Sequence, residues 1–142
     1  MLKNLLGYMA IALLLGLASC QTKPDYAGQW AEMTAERIVA TFTPTAEGYQ
    51  VEIGWREEGL AQYEVWTMHA VREGKDALRY DNGTYVIRRY EHQGDKNYTE
   101  ETVYADGTGS FTINSDGQLV WRDDKDPNGE PVMFIRANFS KE

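Results

Sequence analysis

The feature that most constrains the fold of this chain is the alternation of apolar and polar residues within short segments. Between Tyr49 and Trp55 every odd-numbered position is large and apolar, and every even-numbered position is polar or glycine. Successive side chains of a β-strand point to opposite faces, so this pattern predicts a strand with one buried and one solvated face. From Gly28 onward similar segments recur and no stretch keeps an apolar helical period, which predicts an all-β domain.

The alternating segments are short and closely spaced. They cover 28–33, 36–43, 49–55, 61–71, 76–80, 84–92, 97–105, 109–114, 117–122 and 131–138. We expect about eight to ten strands, depending on whether short neighbours join. Asn-Gly or Asp-Gly pairs begin at Asn82, Asp106, Asp116 and Asn128, and such pairs supply the positive φ angles of tight hairpin turns.

Short loops between consecutive strands make those strands antiparallel neighbours, which predicts an up-and-down meander. An open meander would leave its edges exposed, and closure removes them. The predicted architecture is therefore a small antiparallel barrel of about eight strands, with a two-sheet sandwich as the alternative. The chain of 142 residues has room for one such domain, expected over 28–138 with residues 139–142 as a tail.

The first 19 residues have the layout of a signal peptide, because Lys3 precedes an apolar run from Leu5 to Ala18. At 14 residues this run is shorter than the about 20 that a membrane-spanning helix needs. It ends in Leu17-Ala18-Ser19-Cys20, which resembles the lipobox of bacterial lipoproteins, and Cys20 is the only cysteine in the chain. The resemblance implies that Cys20 is acylated and becomes the first residue of the mature protein.

A lipidated cysteine predicts a protein that is anchored to a membrane without spanning it, since two or more acyl chains hold a protein stably. Residues 20–27 are then the lipidated cysteine and a short tether. The expected location is the bacterial cell envelope, at the outer face of the plasma membrane or, in a bacterium with two membranes, at the outer membrane. Gln21 after the cysteine favours the outer membrane in that case.

The charge of the chain excludes one class of partner. Beyond residue 19 there are 13 basic and 22 acidic residues, which gives a net charge of −9. Nucleic-acid binding depends on clustered Lys and Arg, so we expect no nucleic-acid partner. The single cysteine excludes an internal disulfide and a Cys-rich zinc site.

We expect no catalytic activity and no cofactor. His69 and His92 lie on different predicted strands, and the sequence has no nucleophile-elbow, zinc-peptidase or phosphate-loop motif. Asp124, Asp126 and Asn128 match the opening of a calcium-binding loop, but Ile135 stands where that loop needs a bidentate Glu. We interpret the segment as an acidic hairpin loop without a metal, with weak calcium binding as the alternative.

Two further elements resemble a known group of barrels. Gly28-Gln29-Trp30 opens the first predicted strand, and Arg136 lies in the last. This combination resembles the calycin group, the lipocalins and their relatives. The resemblance implies that the Trp30 indole sits at the closed end of the barrel with Arg136 lying across it, so both residues have structural roles.

Additional motifs extend the resemblance over most of residues 26–136. They are Tyr26-Ala27-Gly28-Gln29-Trp30, Glu64-Val65-Trp66-Thr67-Met68, Gly107-Thr108-Gly109-Ser110-Phe111 and Trp121-Arg122-Asp123-Asp124. Together they are similar to a family of small lipocalin-like bacterial lipoproteins. The chain is shorter than eukaryotic lipocalins and has no disulfide, so the resemblance does not imply a roomy ligand cup.

The alternation also selects candidate ligand-binding residues on the inner faces of two long strands. These are Tyr49, Ile53, Trp55, Trp66 and Met68. An eight-stranded barrel is just wide enough for its side chains or for one small ligand, so these residues either fill the interior or line a pocket. Alternation also directs either Arg88 or Arg89 inward, where it needs an acidic partner or a ligand carboxylate.

We therefore expect a membrane-anchored cell-envelope lipoprotein whose lipocalin-like domain binds a small or amphiphilic ligand at its open end. The alternative is a protein-binding envelope module, such as an inhibitor of a protease or of lysozyme, because an acidic surface attracts a basic partner. The expected partners are the membrane, through the N-terminal lipid, and either a small hydrophobic ligand or a protein.

Overall fold

The computed structural model describes residues 23–34, 37–56, 61–126 and 128–137. Within them eight antiparallel strands follow one another in chain order around a closed barrel. The strands are β1 (Gly28–Glu32), β2 (Ile38–Pro44), β3 (Gly48–Arg56), β4 (Gln62–Glu73), β5 (Ala77–Tyr90), β6 (Tyr98–Ile113), β7 (Leu119–Asp123) and β8 (Val132–Arg136). The predicted meander barrel is confirmed, and the sandwich alternative is wrong.

The N-terminal predictions cannot be placed on this barrel. The predicted signal peptide, Cys20 and the predicted tail at 139–142 lie outside the described residues. Among the residues that are described, no helix has the length and apolar character needed to cross a membrane.

Two of the predicted hairpin turns are wrong, because the chain continues as a strand through Asn82 and through Asp106. Gly83 lies opposite Gly107 in the β5–β6 ladder, and the register shifts on both sides of Gly83. Asn82 has a φ of 51°, in the left-handed region that Asn tolerates. These pairs therefore form β-bulges, which bend a long hairpin around a barrel. Because each bulge joins two predicted segments into one long strand, the ten predicted segments form eight strands.

Up-and-down topology places alternate connections at opposite ends of the barrel. The β2–β3, β4–β5 and β6–β7 connections lie at one end, here called the closed end, and the remaining connections lie at the open end. The interior is packed from its middle to the closed end. The buried residues of this core include Tyr26, Trp30, Phe42, Val51, Ile53, Met68, Leu78, Phe111, Leu119 and Phe134.

The segment before β1 crosses the closed end and brings the first and last strands together. Trp30 is 1% exposed, and its indole N–H donates to the carbonyl of Tyr26 at 2.9 Å. Arg136 lies opposite Trp30 in the β1–β8 ladder, and its guanidinium carbon is 4.0 Å from the centre of the Trp30 ring. Its Nη1 donates to the carbonyl of Ala27 at 2.6 Å. Arg136 thus ties the final strand to the chain that covers the closed end.

Tyr49 belongs to this same closed end. Its hydroxyl donates to Asp25 Oδ1 at 3.1 Å and accepts a hydrogen bond from Arg72 Nη2 at 3.2 Å. Arg72 Nη2 also donates to the carbonyl of Pro24 at 2.8 Å. A backbone hydrogen bond from Ala27 and the Tyr49 hydroxyl hold the pKa of Asp25 below its ordinary value. These contacts fasten the segment before β1 across the barrel.

We expect the stability of the barrel to fall as the pH rises above about 10. Burial raises the pKa of Tyr26 to about 12 from an ordinary value of 10.0, and burial also raises the pKa of Tyr80. In this range the unfolded chain loses tyrosine protons that the native state keeps, so unfolding becomes more favourable with increasing pH. The difference between the ordinary and the native pKa of Tyr26 corresponds to a loss of at most about 3 kcal/mol in the free energy of unfolding.

Urea denaturation at about pH 9 and about pH 12 measures this loss directly. The variant Tyr26→Phe should lose less stability across the same interval than the parent, whereas Tyr98→Phe should behave like the parent because Tyr98 is exposed. Equal stability of the parent at both pH values would contradict the expectation.

Candidate functional site

A cavity of about 450 Å³ opens at the open end of the barrel, above the packed core. This volume lies within the range of small-molecule sites. Its apolar wall is formed by Ile38, Trp55, Trp66, Trp121, Pro131 and Val132. The barrel is therefore filled at one end and hollow at the other.

A second cavity, of about 600 Å³, adjoins the first. The two share Ile38, Trp55, Pro131 and Val132, and the second adds Met33 and Met133. Trp55 lies opposite Ile38 on β2 and opposite Glu64 on β4. It is the last inward-pointing residue of β3, and this position at the open end explains why it lines both cavities. Together the cavities form one continuous apolar surface, here called the mouth.

Two of the three tryptophans in the mouth are fixed by their neighbours. Trp66 stacks on Tyr85, with ring centres 4.4 Å apart and an angle of 1° between the planes, and it meets Trp121 edge to face at 5.6 Å. Trp121 is 5% exposed, and its indole N–H donates to the hydroxyl of Tyr80 at 3.0 Å. These rings form a rigid aromatic wall.

Trp55 differs from the other two tryptophans. In the part of the chain that the structure describes, no ring stacks on it and no acceptor takes its indole N–H. It is half-buried and lines both cavities. Its ring is therefore available to a ligand in the mouth.

Tyrosine–carboxylate pairs adjoin the aromatic wall. The Tyr85 hydroxyl donates to Glu64 Oε1, and the Tyr104 hydroxyl donates to Asp123 Oδ2 at 2.9 Å. Burial first, and then the hydrogen bond to the carboxylate, raise the pKa of both tyrosines. Both phenols therefore stay protonated at neutral pH and hold their carboxylates in place.

The five candidate ligand-binding residues separate by depth in the barrel. Trp55 and Trp66 line the cavity. Ile53 and Met68 are buried in the core beneath it, and Tyr49 lies at the opposite, closed end. Alternation assigned the face of each residue but carried no information on its depth.

Sequence reasoning missed part of the mouth. Trp121 belongs to an alternating segment, 117–122, whose inner face includes Leu119, and this signal was available. The sequence predicts an acidic hairpin loop after β7, with weak calcium binding as the alternative, and does not indicate that Asp123, Asp126 and Glu130 line a cavity. No local pattern indicated that this loop would line the same cavity as Trp55 of β3.

Arg88 and Arg89, near the end of β5, each pair with a glutamate of β6. Arg88 Nε lies 3.1 Å from Glu100 Oε2, and Arg89 Nη1 lies 2.6 Å from Glu101 Oε2. Arg89 shares the inward face with Tyr85, but its side chain is 49% exposed. Each cation already has a carboxylate partner, so neither is presented to a ligand carboxylate.

The residues of the calcium-loop motif do not converge. Asp124 Oδ2 accepts hydrogen bonds from Thr108 Oγ1 at 2.8 Å and from Arg79 Nη2 at 3.4 Å. Its carboxylate is thus bound to side chains of β5 and β6. Nowhere among the described residues do three or more His, Cys, Asp or Glu side chains form a group that could hold a metal ion.

The candidate site is thus an apolar, tryptophan-walled mouth with carboxylates along one side. Comparisons with protein-family models, curated proteins and solved structures found no match to this chain. A functional assignment therefore depends on the barrel and on the chemistry of its mouth.

Proposed function

We propose that this protein is a lipid-anchored lipoprotein of the bacterial cell envelope whose barrel binds a small or amphiphilic ligand. The observation that carries the proposal is the hollow mouth around Trp55, in a barrel that is otherwise packed. Concave, largely apolar sites with a few polar groups are typical of small-molecule binding. The closed-end contact of Trp30 with Arg136 supports a lipocalin-like relationship.

The proposed role is binding rather than catalysis. Glu64 and Asp123, the carboxylates nearest the aromatic wall, are each held by a tyrosine hydroxyl. Asp123 lines the first cavity and is thus a fixed acceptor for a bound molecule, and both pairs maintain the shape of the mouth. Neither histidine lines the mouth cavities.

The proposed lipid anchor determines which way the mouth faces. Lys23 is three residues from Cys20, a reach of roughly 10 Å for an extended chain. The segment from Pro24 to Ala27 lies at the closed end, where it contacts Arg72 and Arg136. An acylated Cys20 therefore holds the closed end near the bilayer and directs the mouth toward the aqueous compartment.

Titration of the delipidated domain with the neutral fluorescent probe N-phenyl-1-naphthylamine tests the binding role. We expect saturable binding of about one probe per protein, weakened at least about tenfold, or 1.4 kcal/mol, by Trp55→Ala. The variant should remain folded, because the Trp55 side chain makes no ring contact or hydrogen bond among the described residues. Tyr98→Ala, which truncates an exposed aromatic ring outside the mouth, should bind the probe like the parent.

Two results would refute the binding role. One is an absence of saturable binding by the folded parent domain. The other is equal affinity of the parent and the Trp55→Ala variant for the probe, because a probe whose affinity does not depend on Trp55 binds outside the mouth.

One observation favours a second candidate function, a protein-binding module. β7 pairs with β6 only between Gly109 and Ile113. Within the described ranges no strand pairs with the outer edge of β6 from Tyr98 to Asp106. An unpaired edge can add an extended segment of another protein, and Val103 on this stretch is 46% exposed.

Inhibition assays with lysozyme and serine proteases test the second candidate. It predicts inhibition by the parent domain and loss of inhibition in Val103→Lys, since a charged side chain on an edge opposes strand addition. Probe binding in the mouth should be unchanged in that variant. Inhibition that survives Val103→Lys, or no inhibition by the parent, would contradict the role of this edge.

A further inference from the structure

The mouth has an uneven distribution of charge. Asp123, Asp126 and Glu130 line the first cavity, and Arg122 is the single basic residue among those that line it. Arg122 alternates with Trp121 and Asp123 along β7, so its side chain points to the outer face. The side chains of Asp126 and Glu130 have no ion-pair partner within the described part of the chain. This side of the cavity therefore presents uncompensated negative charge.

The same cavity presents aromatic faces, which attract cations through the ring quadrupole. The barrel uses this interaction elsewhere: Arg136 lies over Trp30, and Lys125 Nζ is 5.4 Å from the centre of the Tyr104 ring. Lys125 also pairs with Asp106 at 2.8 Å, so a ring and a carboxylate already hold one cation together. Trp55 has no such cation among the described residues.

The second cavity is lined largely by apolar residues, and its single acidic residue, Glu32, is accompanied by Arg37. It shares Trp55 and Val132 with the first cavity, and Met33, Thr34 and Met133 also line it. Methionine side chains adapt to flexible aliphatic chains. The first cavity thus suits a positive head group, and the second suits a hydrocarbon chain.

We propose that the mouth selects an amphiphile with an organic ammonium head and an aliphatic chain, an inference that rests on the proposed binding function. The head lies between the tryptophan faces and the carboxylates of Asp126 and Glu130. The chain passes Trp55 toward Val132 and Met33. A fatty acid would place its carboxylate against these acidic groups, so its binding is disfavoured.

Calorimetric titration of the delipidated domain with three ligands of one chain length tests the selection: decyltrimethylammonium, decanol and decanoate. We expect the cation to bind at least about tenfold more tightly than the other two. In Asp126→Asn/Glu130→Gln the affinity for the cation should fall at least about threefold toward that for decanol, since the rings still attract the cation, and the affinity for decanol should be unchanged. Both positions are exposed, so the fold should be retained.

A matched variant controls for the overall charge of the protein. Glu47→Gln/Asp116→Asn removes the same number of charges from exposed loops at the closed end. It should bind decyltrimethylammonium like the parent. An equal loss in both double variants would overturn the proposal, because it would show general attraction to an acidic protein.

The aromatic part of the proposal has its own variant. Trp55→Leu keeps an apolar side chain but removes the ring, so it should reduce the preference for the cation over decanol. An unchanged preference in this variant would overturn the role assigned to Trp55. Equal or tighter binding of decanol or decanoate to the parent would overturn the cation preference and leave the binding function standing. If none of the three ligands binds, the proposed binding of amphiphiles fails as well.

Discussion

Replacing Trp30 with alanine is expected to lower the free energy of unfolding by roughly 3–5 kcal/mol, the cost of truncating a buried aromatic residue. The indole is 1% exposed and packs beneath the Arg136 guanidinium at 4.0 Å. The variant leaves a void there, and it also removes the donor that bonds the carbonyl of Tyr26. Urea denaturation followed by circular dichroism measures the loss.

Truncation of an exposed ring provides the control for this prediction. Tyr98 is 44% exposed and its ring contacts Tyr90 and the Arg88 guanidinium at the surface, so Tyr98→Ala should cost about 1 kcal/mol. A comparably small cost for Trp30→Ala would contradict the role of Trp30 in closing the barrel. It would also remove the main support for a lipocalin-like relationship.

The variant Cys20→Ala is expected to move the protein from the membrane fraction to the soluble fraction almost completely. Burial of acyl chains contributes about 0.8 kcal/mol per methylene group, and two or more chains anchor a protein stably. Without the thiol no acyl group can be attached at this position. Fractionation followed by immunoblotting measures the change in location.

Mass spectrometry of the parent protein completes the test of the anchor. We expect a mature chain that begins at an acylated Cys20, since Cys20 is the only cysteine in the sequence. Cys20→Ser provides a second variant of similar size that also lacks the thiol, and it should be released as well. An unmodified Cys20 in the parent, or membrane association that survives both substitutions, would contradict the anchor.

The strand content of the barrel was predictable because side-chain alternation is a local property. Successive side chains between Tyr49 and Trp55 point to opposite faces of β3, so odd-numbered and even-numbered residues separate. All the odd-numbered side chains do point into the barrel. The number of strands was harder to predict, because an Asn-Gly or Asp-Gly pair can form either a tight turn that ends a strand or a β-bulge within one. Gly83 and Gly107 lie opposite each other across a ladder, a relationship between distant positions that local patterns do not contain.

The candidate site was only partly predictable, because it depends on which end of the barrel is covered. Tyr49 and Trp55 lie on the same face of β3, yet one is held beneath Asp25 and the other faces the mouth. The difference arises from the segment before β1, which crosses one end and leaves the other open. The acidic loop reaches the mouth for a similar reason, since barrel closure brings Val132 on β8 close to Trp55 on β3.

The position of a bound ligand can be measured from the indole N–H signals of the four tryptophans in a nitrogen–proton correlation spectrum. Each signal is assigned by a Trp→Phe variant, and the domain is titrated with N-phenyl-1-naphthylamine. We predict the largest shift for Trp55, smaller shifts for Trp66 and Trp121, and no shift for Trp30, which is buried at the closed end. A shift confined to Trp30, equal shifts of all four signals, or no shift at saturating probe would contradict a ligand site in the mouth.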